Sequence, residues 1–264
     1  MQLREKEGRV YSDKEVVTLP DLYETHPHYS EWRMRKQSCQ KLISYLHKQQ
    51  TPLKILEVGC GNGWLAHQLA DVPRSKVIGT DINFTELQQA AKVFKELPNL
   101  HFIYTDIESG LFEERQFDII VFAASIQYFS SLNKIIGESM RLLKPNGEIH
   151  IIDSHFYSLT ELNAAKQRSL LYYQSAGFPE LAEWYFHNSL DDLLASGKKW
   201  DSISIALGHL ATVNPWHGCN TFQNHRLRQL ESLTESIIEF LGDVAGNFHM
   251  LFLVCAYGHN IRAI

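Results

Sequence analysis

Between residues 53 and 153 the chain alternates two hydrophobic rhythms. Short apolar runs over Leu53–Val58, Lys76–Asp81, Leu100–Thr105, Phe117–Phe122 and Glu148–Asp153 read as buried strands. The segments between them repeat apolar residues every three or four positions, which predicts helices. These cover Gly63–Ala70, Thr85–Leu97 and Leu132–Leu143. In the second, Leu87, Ala90, Ala91, Phe94 and Leu97 share one side. In the third, Leu132, Ile135, Ile136, Met140 and Leu143 do. Lys144-Pro145-Asn146-Gly147 reads as a turn ahead of the last strand. Strands that alternate with helices predict an α/β fold, a doubly wound and mostly parallel sheet with helices on both faces. Right-handed crossovers then bring the carboxyl ends of the strands to one edge, where ligands bind.

The flanks carry weaker patterns. Residues 1–20 are polar, mixed in charge and without a clear period, so loose packing is expected there. Trp32, Cys39, Leu42, Ile43 and Leu46 fit one face of a helix over Glu31–His47, which Thr51-Pro52 ends. After Ser154, Leu159–Ser175, Leu190–Leu194 and Leu230–Leu241 read as helical and Met250–Tyr257 as a late strand. The expected organisation is a single domain. Residues 1–50 form a helical flank or lid, 51–155 the cofactor-binding core, and 156–264 an elaborated C-terminal part with a substrate cap and the last strands. The role of residues 195–229 is not legible.

The chemistry concentrates behind the first strand, in Glu57-Val58-Gly59-Cys60-Gly61-Asn62-Gly63. Glycines turn the backbone through positive φ and leave no Cβ in a ligand's way. A helix start behind the loop offers free N–H groups. Such a loop suits a nucleotide-type cofactor. A dinucleotide fingerprint needs Gly or Ala at the position of Trp64, and Trp cannot give the close helix–strand contact required there.

The order acid-x-Gly-x-Gly-x-Gly resembles that of the class I S-adenosylmethionine-dependent methyltransferases, over roughly residues 53–153. The resemblance implies a Rossmann-like core that binds S-adenosylmethionine. It places Glu57 near the amino-acid end of the cofactor and Gly59, Gly61 and Gly63 under its methionine and ribose. Asp81, ending the second strand, would hold both ribose hydroxyls, with Ile82 against the adenine. Asp106 would accept from the adenine amino group, with Ile107 beside it. Ala124, Ser125 and Ile126 would pass beneath the sulfonium. The Lys144–Gly147 turn is similar to the family's turn before the fifth strand. In related enzymes a preceding helical segment folds over the cofactor, which would bring Tyr29 or Arg33 to the methionine carboxylate.

The implied activity is methyl transfer to a small-molecule acceptor by in-line displacement, in which alignment supplies much of the rate. Such a reaction need not leave a conspicuous catalytic residue, and no catalytic base is evident. His155 and Tyr128, past the fifth and fourth strands, are the candidates. Tyr172, Tyr173, Trp184, Tyr185, Phe186 and His187 suggest an apolar or aromatic acceptor pocket. The alternatives are a non-catalytic cofactor-binding module and an NAD(P)-dependent oxidoreductase, the latter opposed by Trp64. Aminopropyl transfer lacks its extra acids after the fourth strand.

Composition narrows the partners. A formal net charge of −5 without a basic block argues against nucleic acid. No apolar run approaches the roughly 20 residues that span a bilayer. The charged N-terminus is not a secretory signal. Cys39, Cys60, Cys219 and Cys255 lack CxxC spacing, which suits free thiols in a cytoplasmic protein. His26-x-His28 lacks a third ligand, so no metal is expected. His217 and Cys219 have no assignable partner acid for a nucleophile pair.

Overall fold

The computed structural model describes residues 1–196, 202–205 and 249–252. Strands β1 (Leu53–Val58), β2 (Ser75–Asp81), β3 (Leu100–Tyr104), β4 (Phe117–Ala123), β5 (Leu143–Ile152), β6 (Ser202–Ile205) and β7 (His249–Phe252) form one sheet, in the order β3-β2-β1-β4-β5-β7-β6. Every neighbouring pair in it is parallel. From β1 the chain winds outward through β2 to β3, then returns past β1 to β4 and β5. The carboxyl ends of β1 and β4 therefore flank the crevice where the winding direction reverses, the usual ligand position in such sheets.

Both faces of the sheet are covered, so its strands are apolar at successive positions. Ile55, Val77, Ile119, Val121 and Ala123 pack on one side with residues of α3 (Tyr29–Leu46), α4 (Trp64–Ala70) and Phe94, the cap of α5 (Phe84–Val93). Leu56, Val58, Ile120 and Phe122 pack on the other side against α6 (Leu132–Leu142). The doubly wound, Rossmann-like α/β fold is the one expected. α7 (Leu162–Ala176) and α8 (Leu190–Ser196) continue the chain beyond β5.

The ends of elements move by a few residues. α5 stops at Val93, not Leu97, because Phe94 caps it and turns into the core. The Lys144–Gly147 segment is absorbed into β5 as an irregularity. The register shifts between Phe117 and Ile119, and Asn146 adopts φ +65°. β6 falls in the stretch 195–229. The expected helix over Leu230–Leu241 and residues 253–257 of the expected last strand lie outside the described residues.

The largest departure is at the N-terminus, where residues 1–20 are ordered against the core. α1 (Gln2–Lys6) and α2 (Asp13–Thr18) form there, and Tyr11, Val16 and Leu19 are buried. A sequence signal for α2 existed. Ser12 and Glu15 make a reciprocal capping box, the Ser hydroxyl accepting from the Glu15 N–H while the Glu15 carboxylate accepts from the Ser12 N–H.

Candidate functional site

The glycine loop leaves β1 with Glu57 beneath it and folds onto the end of β2. The N–H groups of Gly59 and Cys60 both donate to the Thr80 carbonyl, at 2.8 and 3.0 Å. Asp81 then grips the loop from its side. Its Oδ2 accepts from the Gly61 N–H at 2.7 Å, and its Oδ1 accepts from the Asn83 N–H at 2.7 Å. The acid at the end of β2 thus fixes the path of the loop, besides whatever ligand it meets.

Gly59, Gly61 and Gly63 all have positive φ. Their reasons differ. A Cβ on Gly63 would come within 2.6 Å of Phe102 Cζ and 2.9 Å of the Ala90 Cβ. A Cβ on Gly59 would come within 2.5 Å of the Ser125 Cβ. Only Gly61 has space above it, 3.7 Å short of Glu86 Oε2. Gly63 and Gly59 therefore serve the close packing of loop, sheet and helix, and Gly61 is the one of the three where a Cβ would fit without a clash, in contact with the Glu86 carboxylate. Trp64, which excluded a dinucleotide fingerprint, packs edge-on against Trp32 of α3 at 5.2 Å.

Glu57 is buried, with 1 % of its surface exposed. Burial drives its pKa well above the ordinary carboxylate range, the negative charge of Asp81 adds to that, and the Ala66 N–H works against it. Its Oε2 has no hydrogen-bond partner among the described residues. A buried acid oxygen without a partner, beside a loop with open backbone, suits a ligand carrying a cationic or donor group. The donor set matches S-adenosylmethionine, which has an ammonium, a sulfonium and a ribose diol.

Farther along the edge, Asp106 is exposed and caps the 3-10 turn Ile107–Ser109, its Oδ1 accepting from the Glu108 N–H at 2.9 Å. Ile107 does not line the edge. Its side chain is 1 % exposed and belongs to the core on the α6 side. Ile82 stands free at 71 % exposure. Near it Phe84 and Tyr104 meet edge to face at 5.5 Å, an aromatic pair that the sequence reading passed over.

Ala124 takes φ +51° after β4 and donates its N–H to the Ile152 carbonyl. Ser125 donates its hydroxyl to the Val58 carbonyl at 2.6 Å, which clamps this crossing against the glycine loop. Of the α3 residues, Tyr29 is half-buried and Arg33 is exposed. Arg35, two positions on, is half-buried. It pairs with Glu31 at 3.0 Å, lies 5.0 Å from the Trp32 ring, and feels the charge of Asp153 at the end of β5. Helical spacing alone did not distinguish Arg35 from Arg33. His26 and His28 are engaged with the chain, His26 Nδ1 accepting the His28 N–H and His28 Nε2 lying 2.9 Å from the Glu7 carbonyl.

Past β4 and β5 the structure brings together residues scattered over sixty positions. Tyr128 meets Tyr185 edge to face at 5.9 Å. His155 packs on Tyr157 at 4.3 Å, and His187 touches both Tyr157 and Tyr185. Tyr173 adds a further ring, 6.5 Å from Tyr185. The segment is fastened to the core by the Phe186 N–H, which donates to the Gln127 carbonyl at 2.7 Å. Burial pushes the phenols of Tyr157, Tyr173 and Tyr185 up and the imidazole of His187 down, so all four are neutral near pH 7. His187 Nε2 is taken by the Ser169 hydroxyl at 2.9 Å. The result is an uncharged aromatic wall beside the loop that follows β4.

Comparisons with known proteins agree with this architecture. A family model described as "Methyltransferase domain" matches residues 50–206. The chain is 26 % identical to a malonyl-[acyl-carrier protein] O-methyltransferase of Halalkalibacterium halodurans, over 70 % of this chain and 73 % of that protein. It is 30 % identical to a demethylmenaquinone methyltransferase of Chlorobaculum tepidum, over 57 % of this chain and 58 % of that protein. The fold is similar to that of the YcgJ protein of Bacillus subtilis, with a TM-score of 0.52 at 22 % identity over 61 % of this chain and 66 % of that one. The chain belongs to the methyltransferase-domain family and is a class I S-adenosylmethionine-dependent methyltransferase.

Proposed function

We propose that this enzyme methylates a small molecule with a flat apolar or aromatic body, held against the wall of Tyr128, Tyr157, Tyr173 and Tyr185. The observation that carries this reading is the position of that wall. It is fastened to the Ile126–Tyr128 turn, directly after the crossing that Ser125 clamps to the glycine loop. An acceptor on the rings would lie beside the cofactor, and neutral rings offer apolar surface with no charge to be desolvated.

S-adenosylmethionine, when bound, supplies a methyl group already activated on sulfur. The residues assigned to hold it are Glu57, the loop Gly59–Gly63, Asp81, Ile82, Asp106 and the backbone around Ala124. Tyr29 and Arg33 of α3 stay assigned to the methionine carboxylate, and Arg35, which feels the charge of Asp153, is a further cation set toward the end of β5. The protein's contribution is alignment and exclusion of water. His187 is not proposed as a base, since Ser169 engages its Nε2. Residues 1–50 act as a flank over the cofactor and residues beyond 155 as the acceptor side of one domain. No helix among the described residues is long and apolar enough to cross a membrane.

The test has two stages. Calorimetry is expected to detect S-adenosylhomocysteine binding. A thermal-shift screen with the product bound, followed by labelled-methyl transfer, then compares quinols and other aromatic acceptors with acyl thioesters, including carrier-linked ones. Transfer to a carrier-linked acyl group alone, as the name of the Halalkalibacterium relative would suggest, would overturn the aromatic acceptor.

A further inference from the structure

We propose that Glu86 is a second ribose-facing carboxylate of the cofactor site, and that Arg4 covers it until the cofactor enters. The proposal rests on the cofactor lying over the glycine loop. Glu86 stands in the first turn of α5, at the position where a glutamate ordinarily completes a helix cap. Its backbone N–H does donate to the Asn83 side chain, at 3.4 Å. Its carboxylate, however, is turned to the loop. Oε2 accepts from Asn83 Nδ2 at 2.7 Å, and both oxygens lie within 3.8 Å of the position a Cβ on Gly61 would take. Gly61 is the loop glycine whose Cβ position is bounded by the Glu86 carboxylate, and its N–H is the one that Asp81 holds.

Two carboxylates thus converge on one glycine. Each oxygen of Asp81 is already engaged by a backbone N–H, so a vicinal diol reaching Asp81 must share those oxygens. Glu86 Oε1 offers an acceptor whose partner is a side chain, Arg4, from the N-terminal flank. Two acids this close to one another are costly to bury without a cation or a donor between them. Arg4 supplies the cation, and the hydroxyls of a ribose would supply donors in its place.

Arg4 is placed to leave. Its side chain is 42 % exposed, while that of Glu86 is 12 % exposed. α1, which carries Arg4, is one short helix with no buried residue. It is tied at its far end by polar contacts, Lys6 Nζ donating to the Ala176 carbonyl at 2.8 Å and the Glu7 carbonyl meeting His28. Such contacts are exchangeable with water at little cost. The helix therefore crosses from the cofactor side at Glu86 to the end of α7, and on the cofactor side it is held by the ion pair and by the Met1 thioether, which accepts from Asn83 Nδ2 at 3.6 Å.

Calorimetry and stopped-flow fluorescence test this with S-adenosylhomocysteine and its 2′,3′-dideoxyribose analogue. Glu86→Gln is expected to weaken the natural ligand about tenfold, the scale of one charge-assisted hydrogen bond, and to change the dideoxy analogue less than twofold. Arg4→Ala is expected to raise the association rate severalfold. Melting of both apo variants within about 2 °C of wild type would show that the cap role of Glu86 is not what is read. An equal loss for both ligands after Glu86→Gln, no loss at all, or an association rate unchanged or lowered in Arg4→Ala would overturn the proposal. Failure of the wild-type protein to bind would instead bring down the cofactor placement on which it rests.

Discussion

The glycine-loop side and the aromatic side of the strand edge differ in what makes their contacts. On the first, backbone groups do nearly everything. Thr80 and Asp81 accept four N–H groups from the loop and from Asn83, and glycines let loop, sheet and helix approach within contact distance. On the second, side chains do nearly everything. Rings from the β4 loop, the β5 loop, α7 and the segment before α8 stack on one another, while the backbone link is the short Tyr157–Ser189 bridge and the Phe186–Gln127 hydrogen bond. A backbone-built wall is tied to one shape and so to one ligand. A ring-built wall can change its outline by substitution without disturbing the sheet, as suits the acceptor side proposed for it.

Three substitutions would break or sharpen that contrast. Gly63→Val attacks the first wall at its tightest point, where a Cβ would meet Phe102 and Ala90 at positive φ. The expected loss is about 3 kcal/mol of stability, a fall in Tm of roughly 6–12 °C in a thermal melt. An unchanged Tm would show that the loop is more yielding than its contacts imply. Asp81→Ala keeps the packing but removes both the loop's anchor and a diol acceptor. S-adenosylhomocysteine affinity should fall roughly 100-fold by calorimetry, since hydrogen bonds to a charged group are worth about 1.5–3 kcal/mol each. Tyr128→Ala addresses the second wall. Tyr128 is 58 % exposed, so little stability depends on it. The acceptor KM should rise about fivefold, from loss of about 1 kcal/mol of ring contact, with cofactor affinity kept within twofold. A comparable loss of cofactor affinity would mean that the two walls are not separable.

The legibility of these walls in the sequence follows the same division. Strand β1 is legible to the residue and β4 to within one. Their signals are local, namely apolar runs, with alternate glycines after β1 and an acid at the last position of β2. The sequence places Ile107 next to Asp106 without saying which way it points, and the 3-10 turn there sends its side chain inward. Docking of α3 on α4, through Trp32 and Trp64, decides that Arg35 is the more covered arginine and Arg33 the exposed one. α1 and α2 are too short to show a period; α2 and the chain beside it are ordered by burial of Tyr11, Val16 and Leu19 against distant residues, and α1 by polar contacts from Arg4 and Lys6.

By itself the sequence determined the alternation of strands and helices from β1 to β5, the α/β fold, and the glycine loop with Glu57, Asp81 and Asp106 beside the strand ends. Each of these is written within a window of about ten residues, the scale on which backbone conformation and hydrophobic period act. The tertiary structure alone decided that Asp81 holds Gly61, that Arg4 reaches Glu86 across about eighty positions, and that six aromatic rings from four segments make one wall. Those contacts are set by chain closure and packing, which bring together residues whose separation along the chain carries no local signal.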